Sequence, residues 1–97
     1  MIKNNHKPFF PLGRTVMTPG ARELMHRTGT PPFQLLLRHQ CGDWGVLDAE
    51  DCAANERAVI LGGRLLSAYE LGANKEKIWI ITEADRSSST LLLLSEY

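Results

Sequence analysis

The chain has 97 residues, enough for one domain built on a single core whose burial is incomplete. Hydrophobic residues at 43% and charged residues at 23% are the proportions of an ordered globular chain and point to neither a disordered chain nor a coiled coil. Eleven basic residues balance eleven acidic ones, so the chain lacks the long-range positive field that draws in a phosphate backbone, and strong generic nucleic-acid binding is not expected.

Met1 to Pro8 is polar and reads as a flexible lead, after which Phe9-Phe10-Pro11-Leu12-Gly13 supplies the first apolar anchors. Arg14 to Met17 suits a short edge strand. Thr18-Pro19 starts a helix, because the threonine hydroxyl can take up a free backbone N–H and a proline at the first helical position gives up no needed donor. Ala21, Leu24 and Met25 form its inner face and Gly29 ends it. Thr30-Pro31 repeats the start signal for a second helix, with Phe33, Leu36 and Leu37 as core positions. Gly42 and Gly45 bracket Asp43 and Trp44 in a tight connection. Asp48 then caps a third helix, with Asp51 in its first turn, that runs to Leu61 and stops at Gly62-Gly63.

From Gly63 the apolar period changes to two. Leu65, Ser67, Tyr69 and Leu71 point one way, and Arg64, Leu66, Ala68 and Glu70 the other. Gly72-Ala73-Asn74 is a turn, and Lys77 to Glu83 is a second strand with Ile78, Ile80 and Thr82 opposite Trp79 and Ile81. Ala84 to Ser87 turns again and Ser89 to Leu94 returns as a third strand. These short connections predict an α+β fold in one domain over residues 1–97: about three N-terminal helices on the more apolar face of a three-stranded antiparallel meander.

Cys41 and Cys52 stand ten residues apart with no second pair, which matches no zinc spacing. Their count permits one disulfide, but the lack of a secretory apolar segment predicts a cytoplasmic protein with free thiols. No apolar run reaches the length of a membrane span, and no cofactor motif is present, so neither membrane nor cofactor is expected.

Four features carry candidate chemistry. His39 closes the second helix, where it could act as a general base or simply be stabilised by the helix dipole; a lone histidine without a defined partner favours the structural role. Trp44 is either an anchor between helices and sheet or a recognition residue, and its flanking glycines favour the anchor. Trp79 in its apolar strand packs against the helices or against a partner. Thr82 to Thr90 gathers Glu83, Asp85, Arg86 and five hydroxyls at one hairpin end, as turn chemistry or as an anion site reached by Arg64 and Tyr69. His6 and His26 carry less signal, and Arg22 and Arg27 give the first helix a weak likeness to a DNA-recognition helix.

The segments FFPLGRTVMTPGA, LLLRHQCGDWG, RLLSAYEL and IWIITEADRSSSTLLL closely resemble a group of small proteins carried by bacterial plasmids and integrative elements, over nearly the whole chain. The resemblance implies a mobile element inside a bacterium, and cargo of that kind often engages host defence. A fainter resemblance is to the barnase, EndoU, colicin and RelE-like ribonucleases, where helices precede a small antiparallel sheet and cleavage needs no metal. That likeness implies His39 as base or acid, Arg64 and Arg86 on the phosphate, and Ser89 or Thr90 orienting it.

Two functions are therefore expected in order. The first is an interaction module that binds a host protein or protein complex, one directed at nucleic acid in anti-restriction or anti-CRISPR fashion, through Trp44, Trp79, Glu83, Asp85 and Arg86. An apolar sheet face around Trp79 and Ile81, left bare by the helices, would serve such a partner or a second copy of the chain. The second is the metal-independent ribonuclease.

Overall fold

The computed structural model describes residues 7–97, so the first six positions of the expected flexible lead lie outside the described residues, while Lys7 and Pro8 are exposed. A short strand β1 (Arg14–Met17) is followed by helices α1 (Pro19–Thr28), α2 (Pro32–Gln40) and α3 (Ala49–Leu61). Strands β2 (Leu65–Leu71), β3 (Glu76–Thr82) and β4 (Ser88–Leu92) come next, and a single 3-10 turn, Leu94–Glu96, closes the chain.

The helix boundaries follow from local chemistry. Thr18 Oγ1 accepts from the Ala21 N–H at 3.3 Å, and Gly29 ends α1 in the left-handed conformation at φ 66°. Asp48 accepts from the Asp51 N–H at 2.8 Å to open α3, which Gly62 terminates. The start of α2 differs from the sequence expectation. Thr30 Oγ1 is engaged with Thr28 Oγ1 at 2.9 Å, and Pro31 takes the cap position instead. The buried stripe of α2 is Leu35, Leu36 and His39, and Phe33 is 67% exposed. Both this stripe and the expected one have helical spacing, so the period alone does not choose between them.

The sheet has four strands in the order β1-β4-β3-β2, the expected three-stranded meander with the short strand expected at Arg14 to Met17 added at its edge. β2, β3 and β4 pair antiparallel as expected, and β1 adds in parallel beside β4. β4 ends two residues early because the Leu93 N–H turns to the Glu96 carboxylate at 3.0 Å. The same carboxylate accepts from the Gly20 N–H at 2.7 Å and from Thr18 Oγ1 at 2.5 Å, tying the closing turn to the start of α1. Thr18, Leu93 and Gly20 hold it well below the usual carboxylate range.

One face of the sheet is covered. Ala21, Leu24 and Met25 of α1 and Leu35 and Leu36 of α2 pack on Tyr69, Leu71, Ile78, Ile80 and Leu91. A smaller cluster of Phe10, Trp44 and Leu65 adds Cys52, Ala58 and Val59 from α3. Cys41 and Cys52 are free thiols, both half-buried. No helix among the described residues is long and apolar enough to cross a membrane.

The outer edge of β2 is closed by two devices. The Asn55 side chain exchanges a pair of hydrogen bonds with Leu66, Nδ2 to the carbonyl at 2.7 Å and the Leu66 N–H to Oδ1 at 3.0 Å, as a neighbouring strand would. Two residues on, Ala68 donates to the Trp44 carbonyl at 3.1 Å and accepts from the Val46 N–H at 2.8 Å. Gly45 makes that approach possible: its φ is 79°, and a Cβ there would stand 1.8 Å from the Ala68 carbonyl oxygen.

Candidate functional site

His39 has no exposed surface and sits inside a chain of hydroxyls. Its Nδ1 is 2.6 Å from Ser67 Oγ, its Nε2 is 2.9 Å from Thr82 Oγ1, and Thr82 is 2.7 Å from Ser89 Oγ. Ser89 donates to the Leu12 carbonyl at 2.8 Å, which fixes every proton in the chain. Thr82 donates to Ser89, His39 donates from Nε2 to Thr82, and Ser67 donates to Nδ1. The ring is held neutral as the Nε2–H tautomer. Burial, and to a lesser degree the Arg86 charge, pushes its pKa down to about 4.

Trp44 is 4% exposed, stacked on Phe10 at 6.4 Å and edge-on to His39 at 5.8 Å. It is an anchor, which corrects its place among the partner-contacting residues. The connection carrying it is locked from both sides. Tyr69 donates its hydroxyl to the Asp43 carbonyl at 2.6 Å, and Arg38 pairs with the Asp43 carboxylate at 2.7 Å while its guanidinium lies 4.5 Å over the Tyr69 ring. Burial of the Tyr69 phenol raises its pKa to about 12, so it stays a donor.

Arg86 is also structural. Its Nη1 donates to the carbonyls of Gly63 at 2.6 Å, Glu83 at 3.1 Å and Ala84 at 3.3 Å, and its Nη2 donates to Ala58 at 2.9 Å. The guanidinium thus clamps the end of α3 to the β3–β4 hairpin, 5.7 Å over the Phe10 ring. The residue itself adopts a left-handed φ of 62°. Asp85 accepts from the Ser87 N–H at 2.9 Å, and contact with Ser87 holds its carboxyl below the usual range. This end of the hairpin is turn chemistry.

The four side chains of the ribonuclease expectation do not share a cleft. His39 is enclosed on the covered face with Ser67, Thr82 and Ser89, and Arg86 is occupied by carbonyls. Thr90 follows Ser89 and so projects from the opposite face, beside Ile81. Arg64 lies exposed at the rim of that opposite face, its Nη2 donating to the Tyr97 hydroxyl at 2.9 Å and its Nε 3.9 Å from Glu83.

Among the described residues, that opposite face is an apolar surface that the helices leave bare. Across the strands, Val16 lies beside Thr90, Thr90 beside Ile81, and Ile81 beside Leu66, with Leu92 next to Trp79 in the following row. Leu94 and Tyr97 from the closing turn, 67% and 75% exposed, form one wall of a groove of about 390 Å³ over Leu66, Trp79 and Ile81. No residue of α1, α2 or α3 lines it. Of the expected partner-contacting residues, Trp79 is in the groove, Glu83 is at its rim, and Asp85, Arg86 and Trp44 are elsewhere. Leu66, Leu94 and Tyr97 were missed. The alternation of Trp79 and Ile81 with Ile78 and Ile80 signalled a second apolar face, but nothing local signalled the turn that walls it.

Among the described residues no three His, Cys, Asp or Glu side chains converge as metal ligands. Scans of the chain against family models, curated proteins and solved structures each found no match.

Proposed function

We propose that this chain is a protein-interaction module that docks through the bare face of its sheet. The observation that supports this is the groove over Leu66, Trp79 and Ile81: an apolar centre with Arg64 and Glu83 at its rim has the anatomy of a protein interface. An aromatic at the centre of such a patch is the usual energetic anchor. The partner is a host protein complex directed at nucleic acid, which the module blocks by covering a surface, and the gene travels on a bacterial mobile element. The balanced charge fits a partner recognised by shape and apolar contact more than by its phosphates.

The test is recovery of partners from a bacterial host with active defence systems, using the tagged chain and a Trp79→Arg variant side by side. A stoichiometric protein that co-elutes with the parent chain and not with the variant supports the proposal. Recovery of nothing, together with unchanged restriction of phage and plasmid, refutes it, and a second copy of the chain as the sole companion replaces the host partner with self-association.

A further inference from the structure

The two edges of the sheet are treated in opposite ways. β2 has its outward backbone groups closed at Leu66 by Asn55 and at Ala68 by the Trp44–Val46 segment. On β1, Arg14 donates to the Ser87 carbonyl and Thr18 to the Leu91 carbonyl, so the even-numbered residues face β4. By alternation, the N–H and C=O of Thr15 and Met17 point away from the sheet. Among the described residues nothing is paired to them.

Beside this edge runs an open groove of about 370 Å³, bounded by Met17 at the end of β1, Arg22, Met25 and His26 on α1, and Pro31 and Pro32 where α2 begins. Its floor is apolar and the charged side chain that lines it is Arg22. Arg22, and Arg14 at the start of the strand, form no salt bridge among the described residues. The nearby carboxylates are already engaged, Glu23 by Arg27 and Glu96 by Thr18, Gly20 and Leu93.

We propose that β1 is a docking edge for an extended, acidic segment of a partner protein, which adds to the sheet as a fifth strand, sets an apolar side chain in the groove beside Met17, and places a carboxylate on Arg22. Backbone pairing to Thr15 and Met17 supplies the register, as in other strand-addition complexes, and the groove and Arg22 supply the selectivity. The surface is separate from the Trp79 face, so this inference stands or falls independently of the function proposed above.

The experiment is selection of random octapeptides displayed against the full chain, followed by synthesis of an enriched peptide and amide hydrogen exchange with and without it. The expected peptides alternate apolar residues with Glu or Asp, and their binding slows exchange at Thr15 and Met17. Thr15→Pro removes an outward donor while leaving the bonds to β4, and it abolishes binding. Arg22→Glu, on an exposed helix position, weakens binding about tenfold and needs no change in the strand. Three results overturn the proposal: no enriched peptide, peptides that protect the Trp79 face in place of β1, or Thr15 and Met17 amides already slow to exchange in the free chain.

Discussion

The Thr82 hydroxyl lies 2.9 Å from His39 Nε2 and needs that nitrogen as its donor, because its own proton is committed to Ser89. The opposite ring nitrogen must then accept from Ser67. Adding a proton at Nδ1 would strand the Ser67 hydroxyl without its acceptor in a site closed to water.

Stability should therefore fall with acidification in a defined window. The His39 pKa is depressed to about 4 in the folded chain, whereas the unfolded chain takes up a proton near pH 6.5. The stabilisation is complete above pH 6.5 and is lost progressively as pH falls to about 4, where the folded state protonates too. The total is on the order of 3 kcal/mol. Urea denaturation at several pH values measures it; a His39→Gln variant should flatten the profile across this window, and an unchanged profile would refute the assignment.

Arg86→Lys should destabilise the fold by about 2 kcal/mol, because a single ammonium cannot reach carbonyls on α3, at Gly63 and in the hairpin together. Thermal melting checks this. If Arg86 instead served an external anion, the lysine would leave the melting temperature unaltered.

Closing the β2 edge depends on Asn55 and Gly45. Asn55→Leu leaves the Leu66 N–H and carbonyl unpaired and should cost about 2 kcal/mol. Gly45→Ala forces a Cβ into the Ala68 carbonyl at a left-handed φ and should cost about 3 kcal/mol or more. Both variants should also aggregate faster when held at high concentration, as read by light scattering.

The two tryptophans should separate in fluorescence. Trp79 is half-buried in the open groove and Trp44 is enclosed, so acrylamide should quench only part of the emission. Trp79→Phe should remove the quenchable part. A partner seated on the sheet face should shield that part in the parent chain.

Elements with signals inside their own segment were legible in the sequence. The Thr18 and Asp48 caps, the Gly29 and Gly62 stops and the period-two faces of β2 and β3 were all read from neighbours a few residues away. What depended on distant parts of the chain was not. The phase of α2 is decided by which side meets Tyr69 and Ser67, and two stripes have equal spacing. The pairing of β1 with β4 has no local marker, since a four-residue strand is defined by its neighbour. His39 was read as a ring stabilised by the helix dipole, whereas it is buried and neutral among Ser67, Thr82 and Ser89, which come from three strands, none of them near it in sequence. The same holds for Arg86, whose carbonyl partners on α3 and at Gly63 carry no side-chain signature at all.

The parallel pairing of β1 with β4 has a consequence for the order in which the molecule is made. Thr18 meets Leu91 across 73 residues, so β1 can find its place only after β4 has been made. The helices and the β2–β3 hairpin can form while synthesis continues, but the sheet and its Glu96 latch close only after β4 and Glu96 have been made. Until then the apolar rows of the hairpin are open to the cell, and the interval between the making of β1 and of β4 is the window in which misassembly competes with folding.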